Sequence, residues 1–202
     1  MPNNFDGAGN FYNKYESNNP IVKILVKNFF SDLTTIIAPI RHEIKNAFEI
    51  GCGEGYVTSF FNQWGIPIEG ADVSARIIEI AKRKYPSINF SVLSIYDLDT
   101  ISNEYSLVIA NEVFEHLSEP DTAIEELKKV TTKYILITVP REPFFRIANI
   151  VRLKYLKDAG NTPGHLNHWS KKSFELFLAS HTLKIITVRC STLWTIVLCE
   201  KI

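Results

Sequence analysis

Gly51, Gly53 and Gly55 alternate within Ala47-Phe48-Glu49-Ile50-Gly51-Cys52-Gly53-Glu54-Gly55, where a short apolar run ends on an acid and opens into a turn stripped of side chains. Such a turn lets a nucleotide-like ligand lie directly against backbone amides, because a side chain at these positions would forbid the bend or hold the ligand away. Asp72 closes the next apolar segment, Pro67-Ile68-Glu69-Gly70-Ala71-Asp72, and a carboxylate there can accept both hydroxyls of a ribose. A glycine-rich loop alone is weak, since dinucleotide-binding proteins share it. Carboxylates and imidazoles gather again in Val108-Ile109-Ala110-Asn111-Glu112-Val113-Phe114-Glu115-His116-Leu117 and in Gly164-His165-Leu166-Asn167-His168-Trp169-Ser170. The first of these follows an apolar run, and the end of a strand is where a parallel sheet forms its ligand crevice.

The elements that must carry these residues alternate between strand-like and helix-like segments, the pattern of a parallel sheet with crossover helices. Residues 21–40 have helical period, with Ile21, Leu25, Phe29, Leu33 and Ile36 on one stripe. Helices are predicted at 56–64, at 74–85 capped by Ser74, at 119–131 with Pro120 in its first turn, at 144–157, and from Ser170 to Ser180. Strands are predicted in the short apolar run leading into the glycine-rich turn, at 67–72, 89–93, 105–110 and 134–139, followed by 182–189 and 193–200. The short Cys190-Ser191-Thr192 link between the last two implies an antiparallel hairpin.

Composition narrows the alternatives. The 202 residues are 46% hydrophobic and 22% charged, ordinary for a globular domain, and Lys plus Arg equals Asp plus Glu at 22 each. A formal charge of zero supplies no global field for nucleic acid. Cys52, Cys190 and Cys199 have neither even count nor metal-ligand spacing, which points to reduced thiols and a cytoplasmic setting, with Cys52 a small filler beside the ligand. No apolar run reaches the ~18 residues of a membrane span, and the polar, Asn-rich start does not read as a signal peptide.

Glu49-Ile50-Gly51-Cys52-Gly53-Glu54-Gly55 with Asp72 resembles the first motifs of class I S-adenosylmethionine-dependent methyltransferases. The resemblance covers residues 47 to about 177. It implies a Rossmann-like doubly wound α/β fold whose seven-stranded sheet is mostly parallel with an antiparallel last strand. One methyltransferase domain is expected over 1–202, with 1–45 as an N-terminal cap region and 141–169 as an inserted substrate lid. It implies that S-adenosylmethionine is held by Glu49, Gly51, Cys52, Gly53, Gly55, Asp72, Val73, Ile95, Asn111 and Tyr15, the last within Tyr12-Asn13-Lys14-Tyr15-Glu16, a segment similar to one that relatives fold over the cofactor.

The acid-any-any-acid-histidine run is similar to that of methyltransferases acting on ubiquinone-type phenols and, more distantly, to the small-RNA 2′-O-methyltransferases. In those families the two acids and the histidine can hold a divalent cation that lowers the pKa of a substrate hydroxyl, and the histidine is also a candidate base. Carried over, this nominates Glu112, Glu115 and His116. His165 and His168, three apart on a loop before a helix, could each add a nitrogen ligand near them, and His165 joins the metal set. Such mixed ligands suit zinc, iron, manganese or cobalt better than magnesium. The plainer reading has Glu115 and His116 opening the next helix, and His168 and Trp169 anchoring a lid. His42 and His181 read as surface residues.

Two positions depart from the pattern. Ser94 stands where many relatives place the acid that meets the adenine amino group, leaving that contact to Ile95 backbone or Asp97, and Ser106 replaces the usual aspartate near a strand start. The insertion 141–157 is amphipathic and basic, setting Phe144, Ile147, Val151, Leu153 and Leu156 against Arg146, Arg152, Lys154 and Lys157. It is expected to be a lid, or a helix resting in a membrane interface as a peripheral contact. The function implied is O-methylation of a small or lipid-like molecule. Alternatives are methylation of an amine or an RNA end, which the neutral charge disfavours, and a non-catalytic S-adenosylmethionine-binding scaffold.

Overall fold

The computed structural model describes residues 14–202. A seven-stranded sheet is built from β1 (Ala47–Ile50), β2 (Ile68–Asp72), β3 (Asn89–Val92), β4 (Tyr105–Asn111), β5 (Thr131–Pro140), β6 (Leu183–Ser191) and β7 (Trp194–Lys201), in the order β3-β2-β1-β4-β5-β7-β6. β1 to β5 run parallel, while β7 pairs antiparallel with both β5 and β6. The helices are α1 (Pro20–Ile37), α2 (Tyr56–Gln63), α3 (Ala75–Lys84), α4 (Pro120–Val130), α5 (Phe144–Val151) and α6 (Lys171–Ser180).

Parallel strands covered on both faces must be apolar throughout, and every residue of β4 is buried. Its side chains alternate between two cores. Val108 and Ala110 pack with Phe114, Ile135, Phe174 and Leu178, whereas Leu107 and Ile109 pack with Phe29, Leu33, Phe61 and Ile196. Each such side chain contributes about 1.5–3 kcal/mol on burial. Ser106 organises the entry to β4, its Oγ accepting from the Lys45 amide at 2.8 Å and donating to the Asn46 carbonyl at 2.7 Å.

Several expectations change. Ile21 is 67% exposed, and Val22 rather than Ile21 starts the buried face of α1. The helix expected over 144–157 stops at Val151, because Leu153 and Tyr155 take left-handed backbone (φ 55° and 53°) and turn the chain back beneath the helix end. His181 is not a plain surface residue. Its ring lies between Asp121 Oδ1 (3.0 Å) and Glu125 Oε1 (3.2 Å), tying the end of α6 to α4. His42 is exposed beside Glu43.

From β1 the chain winds outward through β2 to β3, then crosses back to place β4 on the other flank of β1. The carboxyl ends of β1 and β4 therefore border the reversal of strand order, the place where an open α/β sheet leaves a crevice.

Candidate functional site

A cavity of about 940 Å³ opens at that crevice, and its walls bring together the glycine loop, Asp72, the end of β4 and the lid. Gly51 has φ 72°, and a Cβ there would come within 2.3 Å of Val113 Cγ2. The loop after β1 thus presses against the segment after β4, which only glycine permits. Gly53 and Gly55 are also left-handed (φ 53° and 82°), and Gly55 leads directly into α2.

Asp72 is aimed by backbone: Oδ1 accepts from the Ser74 amide at 2.9 Å and Oδ2 from the Gly53 amide at 3.1 Å. Burial raises its pKa and these two donors oppose the rise. The remaining lone pairs are those a ribose diol would engage. Glu49 is fully buried, accepts from Thr58 Oγ1 at 2.5 Å, and is pushed by burial up to about 8. Cys52 is buried, with burial raising its thiol pKa, which removes the nucleophilic thiolate. Val73 and Ile95 line the cavity with Ser94 and Tyr96, and Asp97 is not among its lining residues. Ser94 instead caps the turn that follows, accepting from the Tyr96 amide at 3.1 Å.

The N-terminal segment closes one side. Tyr15 stacks on Tyr56 with centroids 4.5 Å apart and lines the cavity with Asn111, whose Oδ1 accepts from Thr138 Oγ1 at 2.5 Å. Lys14 pairs with Glu112 and lies 4.9 Å from the Trp194 ring; burial lowers its pKa to about 7. Tyr12 and Asn13 lie outside the described residues.

The second wall holds the acids and imidazoles. Glu115, His116 and His165 offer ligand atoms that all lie within 4.8 Å of one another. Sequence separation is bridged by backbone: the Leu166 and Asn167 amides donate to the Glu115 carbonyl at 2.7 and 3.0 Å. Asn167 Nδ2 donates to the Phe114 and Leu117 carbonyls at 3.0 and 2.7 Å. The two imidazoles meet edge to face, centroids 4.9 Å apart, and Phe145 of α5 stacks on His165 at 5.7 Å. His116 Nδ1 lies 2.9 Å from the Gly164 carbonyl, an acceptor only, so Nδ1 carries the proton and Nε2 keeps a free lone pair. Gly164 has φ 85°, which suits glycine.

These residues fit a divalent cation. Glu115 is 1% exposed, yet its Oε2 has no hydrogen-bond partner, and burial pushes the carboxyl up to about 8. Burial lowers the pKa of His116, and takes His165 down to about 4 with help from the neighbouring histidines, so both rings are neutral, as metal ligation requires. The other two nominees stand apart. Glu112 receives Trp194 Nε1 at 2.7 Å on Oε1 and Lys14 on Oε2, and His168 is exposed with Nε2 2.8 Å from Asn161 Oδ1.

Sequence reasoning does not single out Thr58, Thr138, Asn149, Asn167 and Trp194, which orient the site through side-chain hydrogen bonds. No local pattern marks them, because each partner is distant in sequence.

A glycine loop between β1 and α2, an acid ending β2 and a closing N-terminal tyrosine define a nucleoside-binding Rossmann-like site. Residues 48–134 match the methyltransferase domain family, and the chain's motifs resemble the S-adenosylmethionine-dependent class of such domains. Malonyl-[acyl-carrier protein] O-methyltransferase of Priestia megaterium is 30% identical over 113 residues, covering 54% of this chain and 37% of that protein. Ubiquinone biosynthesis O-methyltransferase of Cereibacter sphaeroides is 27% identical over 130 residues, covering 61% and 51%. The chain thus spans about half or less of the length of these curated relatives. The fold is similar to magnesium protoporphyrin IX methyltransferase from Synechocystis with bound S-adenosylhomocysteine (TM-score 0.70, 15% identity, 94% and 91% covered). It is also similar to the methyltransferase domain of bacterial CtHen1 (TM-score 0.65, 16% identity, 87% and 99% covered).

Proposed function

We propose that the chain methylates a hydroxyl oxygen of a small or lipid-like acceptor, using S-adenosylmethionine. The observation that carries this reading is that Glu115, His116 and His165 line the same cavity as the glycine loop and Asp72. Both sequence relatives are named as O-methyltransferases, which supports oxygen as the acceptor atom.

S-adenosylmethionine supplies an electrophilic methyl on sulfur. The chain's part is alignment: Asp72 and the loop amides hold the nucleoside end, while Asn111 and Tyr15 enclose the methionine end. His116 donates through Nδ1 to the Gly164 carbonyl, which leaves the lone pair on Nε2 placed to take the hydroxyl proton. Glu115, His116 and His165 would hold a divalent cation, which when bound lowers the pKa of an acceptor hydroxyl. Glu112 engages Lys14 and Trp194 in the same wall and would complete the ligand set only by leaving them.

Radiolabelled methyl transfer to a panel of phenols and catechols, run beside calorimetry with S-adenosylhomocysteine and elemental analysis, tests this. S-adenosylhomocysteine should bind, and Asp72→Ala should weaken binding by about 1.5–3 kcal/mol, the scale of hydrogen bonds to a charged acceptor. A stoichiometric divalent metal should be present, and His165→Ala should lose metal and transfer together while keeping S-adenosylhomocysteine affinity. Full transfer by metal-free, chelator-indifferent enzyme would leave His116 as a simple base. Tight S-adenosylhomocysteine binding without transfer to any acceptor would favour the scaffold reading.

A peripheral membrane contact through 144–157 is a second reading, favoured by exposed apolar side chains on the lid. Val151 is 76% and Leu153 78% exposed, and they stand among Arg146, Arg152 and Lys157.

A further inference from the structure

Glu112 and Glu115 line the same cavity but are held in opposite ways. Glu115 keeps an unpartnered Oε2 beside His116 and His165, whereas each oxygen of Glu112 has its own donor, Trp194 Nε1 on Oε1 at 2.7 Å and Lys14 Nζ on Oε2. Glu112 also takes left-handed backbone (φ 54°), and non-glycine residues persist there where surrounding contacts hold them. Those contacts come from elsewhere in the chain. The Glu112 amide donates to the Thr138 carbonyl of β5 at 3.0 Å and reaches Thr138 Oγ1 at 3.2 Å, Trp194 opens β7, and Lys14 precedes α1.

Lys14 is delivered to this carboxylate by neighbours that are anchored in their own right. Tyr15 stacks on Tyr56 of α2 and packs against Phe30 of α1 with centroids 5.9 Å apart. Glu16 pairs with Lys84 of α3, whose Nζ also donates to the Tyr56 hydroxyl at 2.6 Å. With its backbone fixed in this way, Lys14 places Nζ 4.9 Å from the centre of the Trp194 ring, and Glu115 attracts it through space as well. A divalent cation on Glu115, His116 and His165 meets one carboxylate and two neutral imidazoles, which leaves one positive charge uncompensated in a site shielded from water. Glu112, in the same segment after β4, is the carboxylate able to compensate it. Lys14 competes for that same carboxylate.

We propose that Lys14 is a positioning residue that withholds Glu112 from a cation on Glu115, His116 and His165, so that the N-terminal segment sets how tightly the cation is held. A charge-assisted bond to Glu112 Oε2 must break before that oxygen can ligate, and the ammonium adds repulsion toward any cation beside it. The proposal rests on the cation reading of this site and adds the residue that opposes it.

Calorimetric titration with zinc, on the full chain without a metal-binding tag, tests it in the parent, Lys14→Met, Lys14→Arg, Glu112→Gln, Glu115→Gln and the pair Lys14→Met with Glu112→Gln. Lys14→Met should bind zinc about tenfold or more tightly than the parent, the scale of one hydrogen bond to a charged group. Lys14→Arg keeps the charge and should stay near the parent. In the Glu112→Gln background Lys14→Met should no longer tighten zinc, because the carboxylate it releases has been removed. Damage to the fold weakens a metal site, so a gain in affinity is a readout that a merely structural role does not produce. Lys14→Met that binds zinc no more tightly than the parent, Lys14→Arg that tightens it as much as Lys14→Met does, or an equal gain beside Glu112→Gln would overturn the restraint. The cation reading stands in those cases if the parent binds zinc and Glu115→Gln loses it. Zinc that binds neither the parent nor Lys14→Met, or binds Glu115→Gln as well as the parent, strikes the cation site and the restraint with it.

Discussion

The two walls of the cavity are made by different means. At the end of β1 and β2 the ligand-facing groups are backbone amides and one carboxylate aimed by two of those amides, all within 22 residues of one another in a stretch of strand, loop and helix. At the lid, the contacts that draw its segments together reach farther along the chain, from Asn149 to Gly160, 11 residues apart, and from Phe114 to Asn167, 53 apart. A wall built of local backbone tolerates change badly but is specified by few residues. A wall joined by long-range contacts, several of them made by side chains, can be altered piece by piece.

The sharpest way to break the first wall is Gly51→Ala. The left-handed φ of 72° costs an alanine about 1–2 kcal/mol, and a methyl 2.3 Å from Val113 Cγ2 adds an overpacking cost of about 1–3 kcal/mol. Thermal unfolding should move down by several degrees, and S-adenosylhomocysteine binding should become undetectable by calorimetry. A variant that binds normally would mean that the loop shifts freely and that its glycine is not required by the approach of Val113.

The same wall carries a pH signature. Glu49 is buried with its pKa raised to about 8, against an ordinary value of 4.5, so the folded chain retains this proton through a window in which the unfolded chain has released it. Folding stability contributed by the neutral carboxyl is therefore complete below about 4.5 and is lost as pH rises toward 8, at up to about 1.4 kcal/mol per pH unit for one proton. Glu49→Gln, which keeps an oxygen to accept from Thr58, should flatten the slope between pH 5 and 8 in chemical denaturation. Parallel curves for parent and variant would show that Glu49 titrates normally in the fold.

The second wall should respond differently. Asn149→Ala removes two hydrogen bonds in the buried lid and leaves the Gly160 carbonyl short of a donor, a loss of about 1–3 kcal/mol. Its effect should appear in acceptor KM while S-adenosylhomocysteine affinity is retained, because no atom of Asn149 participates in the glycine loop or the Asp72 contacts. Equal losses at both ends would mean that the walls fold as one unit.

This contrast also explains what was legible beforehand. The strand positions, the antiparallel end and the loop from Glu49 to Gly55 follow from local pattern, through alternation of apolar runs, glycines where φ must be positive and an acid at the end of β2, whereas the seven-stranded doubly wound sheet is what the family resemblance implies. Helical period persists from Phe144 past Val151, so nothing in the apolar spacing signals that Leu153 and Tyr155 leave the helix; Asn149 and Gly160 enforce that turn from outside it. His116 and His165 were nominated as residue types, but their meeting depends on Asn167, whose two backbone partners lie 50 and 53 residues away. The family resemblance groups Glu112 with them, and what draws it aside is a lysine 98 residues earlier together with Trp194 at the start of β7.

The smallest expected effect concerns the lid's outer surface. If Val151 and Leu153 rest in a bilayer interface, anionic phosphatidylglycerol vesicles should sediment with the protein at low salt and less so as ionic strength rises, because Arg146, Arg152 and Lys157 supply the screened part of the attraction. Val151→Ser with Leu153→Ser deletes apolar area without touching those charges, and each exposed side chain can contribute at most about 1.5–3 kcal/mol if fully inserted. The double variant should therefore bind vesicles weakly but with the same salt dependence, and should methylate a water-soluble acceptor as the parent does. Loss of turnover on that acceptor would assign the two residues to closing the lid over the cavity. Equal, negligible sedimentation of parent and variant with neutral and anionic vesicles would remove the membrane contact and leave the apolar tip as part of the lid alone.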